Sequence, residues 1–272
     1  MEIDMKLRKL EDLIRPMQNV LVGFSGGVDS TFLLKVCVDV LGPDQVVAVT
    51  THSEVNTEKE TGEAVKLARI IQAQHLVLPM SDLDNEIFAS NPPDRCYYCK
   101  KHRYTALLRL AREKGINHVL DGSNHSDLAD YRPGTRALKE LGIRTPLQEA
   151  MLTKEEIREL SRQLQLPTWN QPARACLASR VPYGTRITSS ALQQIARAEE
   201  VLRNQGFLQC RVRHHGPVAR IEVPRAEFAH LMEDNSLATV VTGIKAAGYH
   251  YVTLDLEGYR TGSLNELLRD NQ

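Results

Sequence analysis

The chain has 272 residues, of which 42% are hydrophobic and 25% charged, and its 34 Lys+Arg balance 34 Asp+Glu. That length suits a full hydrophobic core and two domains. A formal net charge of zero argues against a large nucleic-acid partner, which needs a basic face, but leaves room for a small anionic substrate in a local basic pocket.

The first residues mix both charge signs and read as an amphipathic helix with Ile3, Leu7, Leu10, Leu13 and Ile14 on one side, not as a secretory signal. No apolar run reaches membrane-spanning length, so the expected compartment is the cytoplasm, with no membrane contact. Residues 20–24 predict a buried strand, 30–41 a helix, 46–50 a strand, 57–71 a helix and 76–78 a strand. Residues 91–99 read as a loop from their Pro-rich start. A helix to about Lys114 and a strand at 119–121 follow. This alternation predicts an α/β fold with right-handed crossovers and a doubly wound parallel sheet. Ligands of such sheets sit at the carboxyl ends of the strands, where loops 25–30, 51–53 and 122–124 fall.

A helix over 153–165 opens with a Thr153-x-x-Glu156 capping box and stops at Pro167. The Pro- and Arg-rich stretch beyond it marks the domain boundary. Residues 1–166 then form the nucleotide-binding domain, 167–188 a linker carrying Cys176, and 189–272 a smaller α+β domain for substrate binding or oligomerisation. In that domain a helix over 190–204, strands at 208–213, 219–223 and 251–255, and one or two helices up to Ala247 suggest a split βαβ arrangement. His214-His215-Gly216 reads as its hairpin turn.

Ser25-Gly26-Gly27-Val28-Asp29-Ser30 joins the first strand to the first core helix. Two glycines let the backbone approach an anion, and the N–H groups at a helix start make a phosphate cradle. Ser25 and Ser30 add hydroxyls, and Asp29 suits a magnesium ion held through water. The general P-loop and the dinucleotide glycine patterns are both absent. The hexapeptide resembles the PP-loop of the ATP pyrophosphatases, which cleave ATP to AMP and pyrophosphate.

Five cysteines, an odd number, point to reduced thiols. Cys37 and Cys210 have apolar neighbours and read as core residues. Cys96 and Cys99 form a C-x-x-C beside Arg95, Lys100 and Lys101, and Cys176 sits in a non-periodic segment between Arg174 and Arg180. Basic neighbours favour thiolates. One C-x-x-C excludes a four-cysteine zinc ribbon, whereas two thiolates plus a distant third suit an iron–sulfur cluster with one open iron.

Together with the hexapeptide, segments 121–134, 170–188 and 254–266 make nearly the whole chain similar to the LarE sulfur transferases of nickel-pincer nucleotide cofactor synthesis. The resemblance implies that ATP adenylates a carboxylate of a pyridinium dicarboxylate mononucleotide and that sulfur then displaces AMP. It leaves two sulfur sources. Cys176 is sacrificed and left as dehydroalanine, or Cys96, Cys99 and Cys176 hold a 4Fe-4S cluster recharged by a sulfur-donor protein. The three thiols favour the cluster. Such a substrate needs fixed cations, for which Arg180, Arg211 and Arg213 are the candidates, with Ser179 as an added donor. Glu199 and Glu222 would orient these arginines or hold a second cation. A homo-oligomer is expected on general grounds. The competing reading is a tRNA thiolase, which would need a basic face.

Overall fold

Val20, Leu21 and Val22 are all fully buried. A strand apolar on both sides belongs in the middle of a parallel sheet covered by helices on each face, and the computed structural model places it there. It describes residues 2–129, 132–172, 175–260 and 262–266. Strand β1 (Val20–Gly23) pairs with β2 (Val46–His52), β2 with β3 (Gln74–Pro79), and β1 on its other side with β4 (His118–Leu120). All pairs are parallel, in the order β3-β2-β1-β4.

The helices in chain order are α1 (Ile3–Ile14), α2 (Val28–Leu41), α3 (Glu58–Ile70), α4 (Glu86–Ala89), α5 (Arg95–Glu113), α6 (Gly134–Glu140), α7 (Pro146–Glu149), α8 (Lys154–Gln163), α9 (Ser189–Asn204), α10 (Phe228–Leu231) and α11 (Asp234–Ala246). Successive strand residues face opposite sides. Val20, Val22, Val46 and Ala48 therefore join Leu10, Phe32, Leu67 and Leu160 in one core. Leu21, Val47 and Val49 join Tyr104 and Leu107 of α5 in another. Thr57 and Thr153 both close capping boxes, with Glu60 and Glu156, so α3 and α8 begin where their sequences say.

One local expectation is corrected. Cys96 and Cys99 do not lie in a loop but in the first two turns of α5, which starts directly after Pro92-Pro93-Asp94. Proline cannot continue a preceding helix but readily precedes a new one, so the pair of prolines marks a start and not an extended loop.

The chain divides into two compact units, Met1–Asn85 with Asp94–Arg174, and Glu86–Pro93 with Ala175–Gln272. The short piece belongs to the second unit because Asn91 Nδ2 donates to the carbonyls of Val181, Pro182 and Thr185, while the Ile187 amide donates to the carbonyl of Ala89. In that unit β5 (Arg211–His215) and β6 (Val218–Glu222) form an antiparallel hairpin, and β7 (Tyr251–Leu254) adds parallel to β6 through the crossover containing α11. One face of this sheet packs with α9 and α11 around Leu202, Phe207, Val212, Ile221 and Tyr249. The first strand starts at Arg211, later than its sequence suggests, and Leu208 is accordingly 77% exposed. His214 and His215 end that strand, and Gly216, with φ of +61°, makes the turn. Arg174, and Asp130, Tyr131 and Thr261 of the segments that carry the family resemblance, lie outside the described residues. Among the described residues no helix is long and apolar enough to cross a membrane.

Phe32 is fully buried among these helices and β1. Replacing it with alanine is expected to cost about 3–5 kcal/mol, read as a lower urea midpoint at unchanged m-value. A loss under about 1 kcal/mol would contradict this packing.

Candidate active site

The hexapeptide leaves β1 and enters α2 in one tight turn. Gly26 has φ of +70°, a conformation that disfavours side chains, and a Cβ there would lie 3.2 Å from Ala64 Cβ. The turn is braced internally. The Ser25 amide donates to Ser30 Oγ at 3.3 Å, the Gly27 amide to Ser25 Oγ at 3.3 Å, and the two hydroxyl oxygens lie 3.1 Å apart. From the neighbouring strand end, Gly122 presses on the loop, where a Cβ would meet the Ser30 amide nitrogen at 3.0 Å. Gly27 caps α2, whose amino end adds its dipole to the cradle. Asp29 projects from the first turn of that helix. Lys154 Nζ donates to its Oδ2 at 2.7 Å, while its Oδ1 is buried without a hydrogen bond of normal geometry. Burial raises the Asp29 pKa despite Lys154. A cradle closed to side chains, a helix start and an under-coordinated carboxylate oxygen fit ATP with magnesium.

Helix α5 brings a second set of groups to the same unit. Cys96, Cys99, Lys100, Arg103 and Tyr104 recur at helical spacing, so they share one face. Lys100 Nζ reaches Asp121 Oδ2 at 2.9 Å, and Tyr104 donates to the same oxygen at 2.5 Å. Burial opposes the Asp121 charge, but Lys100, Ser123 and Tyr104 together hold its pKa below the usual range. Arg103 donates through Nη2 to Asp82 Oδ2 at 2.5 Å and to Ser53 Oγ at 2.9 Å, and Cys99 Sγ lies 3.7 Å from Asp82 Oδ1. Sequence reading missed Lys100, Arg103, Tyr104, Asp121 and Asp82 as a group. Lys100, Arg103 and Tyr104 carry a helical-spacing signal that reading 91–99 as loop cuts off from Cys96 and Cys99, and Asp82 and Asp121 reach them from distant parts of the sequence with no local signal.

In the second unit Cys176 precedes a 3-10 turn, Leu177–Arg180. Its thiol side is exposed while its carbonyl is tied down. That carbonyl accepts from Arg180 Nη1 at 3.0 Å, Ser179 Oγ at 2.8 Å and the Ser179 amide at 3.0 Å. Arg180 is 3% exposed and gives Nε to Glu199 Oε1 at 2.7 Å and Nη2 to Glu199 Oε2 at 3.1 Å. Its place is thus behind the Cys176 turn. Arg213, also buried, forks onto Glu222 at 2.8 Å through both Nε and Nη2 and reaches the Ser179 carbonyl with Nη1 at 2.7 Å. The structure therefore brings Cys176, Ser179, Arg180 and Arg213 together, with Glu199 and Glu222 as their acidic anchors. Arg211 joins them electrostatically. Burial and the nearby Arg180 lower its pKa, so an incoming anion would be favoured there.

The cysteines sort by exposure. Cys37 and Cys210 are buried, and burial raises both thiols, Cys210 to about 12. Cys96 and Cys176 are exposed and Cys99 is half-buried, so these three thiols, unlike the other two, reach solvent. Cys96 and Cys99 belong to the first unit and Cys176 to the second. Among the described residues no group of three His, Cys, Asp or Glu side chains is gathered to hold a metal ion.

Burial by itself would raise the Glu199 pKa, but Arg180, Arg211 and Arg203 hold it below 4.5, its ordinary value. The sign follows: the folded value is depressed, so this pair stabilises the fold above about pH 4.5 and the contribution is lost as pH falls through the folded value. Glu199→Gln leaves Arg180 buried without its counter-charge and is expected to cost about 3–5 kcal/mol at neutral pH. Its melting temperature should also fall less steeply than wild type in the acid range. Parallel curves in thermal denaturation across pH would contradict the assignment.

A family model for NAD synthase matches residues 7–111. Along most of its length the chain is 42% identical over 266 residues to the uncharacterized protein slr1717 of Synechocystis sp., covering 98% of this chain and 99% of that one. It is 40% identical over 259 residues to the pyridinium-3,5-bisthiocarboxylic acid mononucleotide synthase of Lactiplantibacillus plantarum, covering 95% of this chain and 93% of the synthase. The tRNA 2-thiolation protein NcsA of Haloferax volcanii matches at 29% over 123 residues, 41% of this chain and 38% of NcsA. A PP-loop at the carboxyl end of a parallel sheet, joined to near-full-length similarity with the synthase, leads to one assignment: the chain belongs to the LarE family of ATP-dependent, AMP-forming sulfur transferases.

Proposed function

We propose that the enzyme activates a carboxylate of a pyridinium dicarboxylate mononucleotide with ATP and converts it to a thiocarboxylate. The observation that carries this reading is the exposed Cys176 thiol on a turn whose carbonyl is fixed by Arg180 and Ser179, in a chain that also holds a phosphate cradle. Similarity to the synthase over 95% of the chain supports the substrate class, whereas similarity to NcsA covers 41% and supports tRNA thiolation less.

The chemistry is balanced in two steps. A carboxylate oxygen of the substrate attacks the α-phosphorus of ATP and pyrophosphate leaves, its charge met by the loop amides and the amino end of α2; Asp29 would hold a magnesium ion, which would supply further positive charge there. This converts a poor leaving group into AMP. A sulfur nucleophile then attacks the acyl carbon and AMP departs. Arg211 offers a cationic group to the substrate's phosphate or second carboxylate, while the donors of Arg213 are spent on Glu222 and the Ser179 carbonyl and the Ser179 hydroxyl on the Cys176 carbonyl. Arg180 acts from behind, holding the Cys176 turn against Glu199.

Two carriers of the sulfur remain within this proposal. If Cys176 itself attacks, the resulting thioester releases product by β-elimination. A base removes the Cα proton, the electron pair forms the Cα=Cβ bond, and the Cβ–S bond breaks to leave a thiocarboxylate and dehydroalanine. In the cluster reading, supported by the exposure of Cys96 and Cys176 and the partial exposure of Cys99, these three residues would hold a 4Fe-4S cluster, which would carry the transferred sulfur as a sulfide ligand. Cys176 then survives and a sulfur-donor protein recharges the enzyme.

Intact-protein mass after a single turnover of anaerobically prepared enzyme with ATP and the dicarboxylate nucleotide tests the proposal. Thiocarboxylate product with an unchanged polypeptide mass is the outcome for the cluster. Product with loss of the elements of hydrogen sulfide means a sacrificed Cys176. No sulfur in the product overturns the proposal.

A further inference from the structure

Tyr259 stands in a different relation to Arg211 from that of the glutamates to the neighbouring arginines. Arg180 and Arg213 fork onto Glu199 and Glu222, and a buried carboxylate cancels the charge it orients. Arg211 gives Nη1 to the Cys210 carbonyl at 2.7 Å, and Tyr259 lies against its guanidinium, with the ring centre 5.2 Å from Cζ and the hydroxyl 3.5 Å from Nη2. The backbone delivers the ring to that place. After β7 the chain turns at Gly258, whose φ is +74° and where a Cβ would meet the Val223 carbonyl oxygen at 3.0 Å. The Gly258 amide donates to the Asp255 carbonyl at 2.9 Å and the Tyr259 amide to the Val223 carbonyl at 2.9 Å. Tyr259 is thereby laid beside Val223, the residue after Glu222, which pairs with Arg211 across the hairpin. The same segment lends Ser263 Oγ to Arg213 Nη2 at 2.8 Å, and Arg260 braces it by forking onto Glu266 at 3.1 Å. Arg211 and Tyr259 are both half-buried.

An aromatic face attracts a guanidinium through its quadrupole and holds it in place without supplying a counter-charge. A planar fork meets a carboxylate or phosphate with two donors at once only when its plane is fixed. Burial and the nearby Arg180 both work against the Arg211 charge, a cost that an incoming anion relieves. We propose that Tyr259 is a positioning residue for the sulfur-transfer reaction, its ring holding the Arg211 guanidinium in the orientation that binds an anionic group of the nucleotide substrate. The ring carries this role and the hydroxyl does not, since 3.5 Å is the outer limit of a hydrogen bond. Tyr259 acts through Arg211, without chemistry of its own. This inference rests on the proposed substrate class and deepens it by naming what sets the affinity for that substrate.

The test measures pyrophosphate release by the full chain against the concentration of the dicarboxylate nucleotide and, separately, of ATP, beside thermal melting. Tyr259→Leu is expected to raise the half-saturating concentration of the dicarboxylate nucleotide about fivefold, with the maximal rate and the half-saturating ATP concentration unchanged. Tyr259→Phe keeps the ring and is expected to stay within about twofold of wild type. In an Arg211→Met background Tyr259→Leu should add nothing further, because the group it positions is gone. A Tyr259→Leu protein that melts lower yet keeps wild-type half-saturation for the dicarboxylate nucleotide shows a merely structural tyrosine and overturns the proposal. An effect that persists undiminished in the Arg211→Met background, or a Tyr259→Phe protein as impaired as Tyr259→Leu, overturns it too. Should Tyr259→Leu fail to fold, Tyr259→Gln carries the same expectation, and a Gln protein with wild-type half-saturation overturns the proposal equally. Wild-type protein that releases no pyrophosphate with the dicarboxylate nucleotide would instead defeat the functional reading on which the inference rests.

Discussion

The turn from β1 into α2 is the constraint on which the rest of the first unit depends. Its backbone bends through a left-handed glycine at Gly26, closed on one side by Ala64 and on another by the approach of Gly122 to Ser30. There is no room at either glycine for a side chain, so the loop's surface is made of backbone and serine hydroxyls. A surface of that kind binds phosphate because it presents N–H dipoles without steric cover. The parallel sheet supplies the position and the helix start supplies the field. The charged groups gathered nearby, Asp29 with Lys154 and Asp121 with Lys100, are neutralised pairs at a strand end and not a bare cluster.

The second unit uses a different device for a related need. A reactive thiol must be exposed, yet its chain must not wander. Here the exposed side chain and the fixed carbonyl belong to the same residue, Cys176. The Arg180–Glu199 and Arg213–Glu222 pairs place two buried guanidinium forks behind it. Such pairs contribute little net stability compared with apolar packing but penalise any alternative arrangement, since a displaced partner would leave a buried charge unmatched. Rigidity around the thiol is the return on that cost.

Much of this was legible in the sequence because it rests on local signals. Glycines at the strand end, Thr-x-x-Glu boxes and period-2 or period-3.6 apolar patterns each depend on a few neighbouring residues, and they located the sheet, α3, α8 and the phosphate loop. Two features were not legible for physical reasons. The Pro92-Pro93 pair reads as loop, yet α5 starts just after it, and that shift separates Cys96 and Cys99 from the face they share with Lys100, Arg103 and Tyr104. The partnership of Lys154 with Asp29 spans 125 positions and has no local signature. The arginines near Cys176 read as substrate cations because the family resemblance implies an anionic substrate. Only their geometry shows that Arg180 turns its donors to Glu199 and to the carbonyls of Ala175 and Cys176.

The central claim is that ATP activation of the substrate and sulfur delivery at Cys176 are separate steps served by separate parts of the chain. The most direct measurement is pyrophosphate released per enzyme by the Cys176→Ala protein when given ATP and the dicarboxylate nucleotide. The account predicts a stoichiometric burst of pyrophosphate with AMP retained on the substrate as an acyl-adenylate and no thiocarboxylate formed. Absence of pyrophosphate from a folded, ATP-binding variant, or sulfur transfer that persists without this thiol, would contradict it.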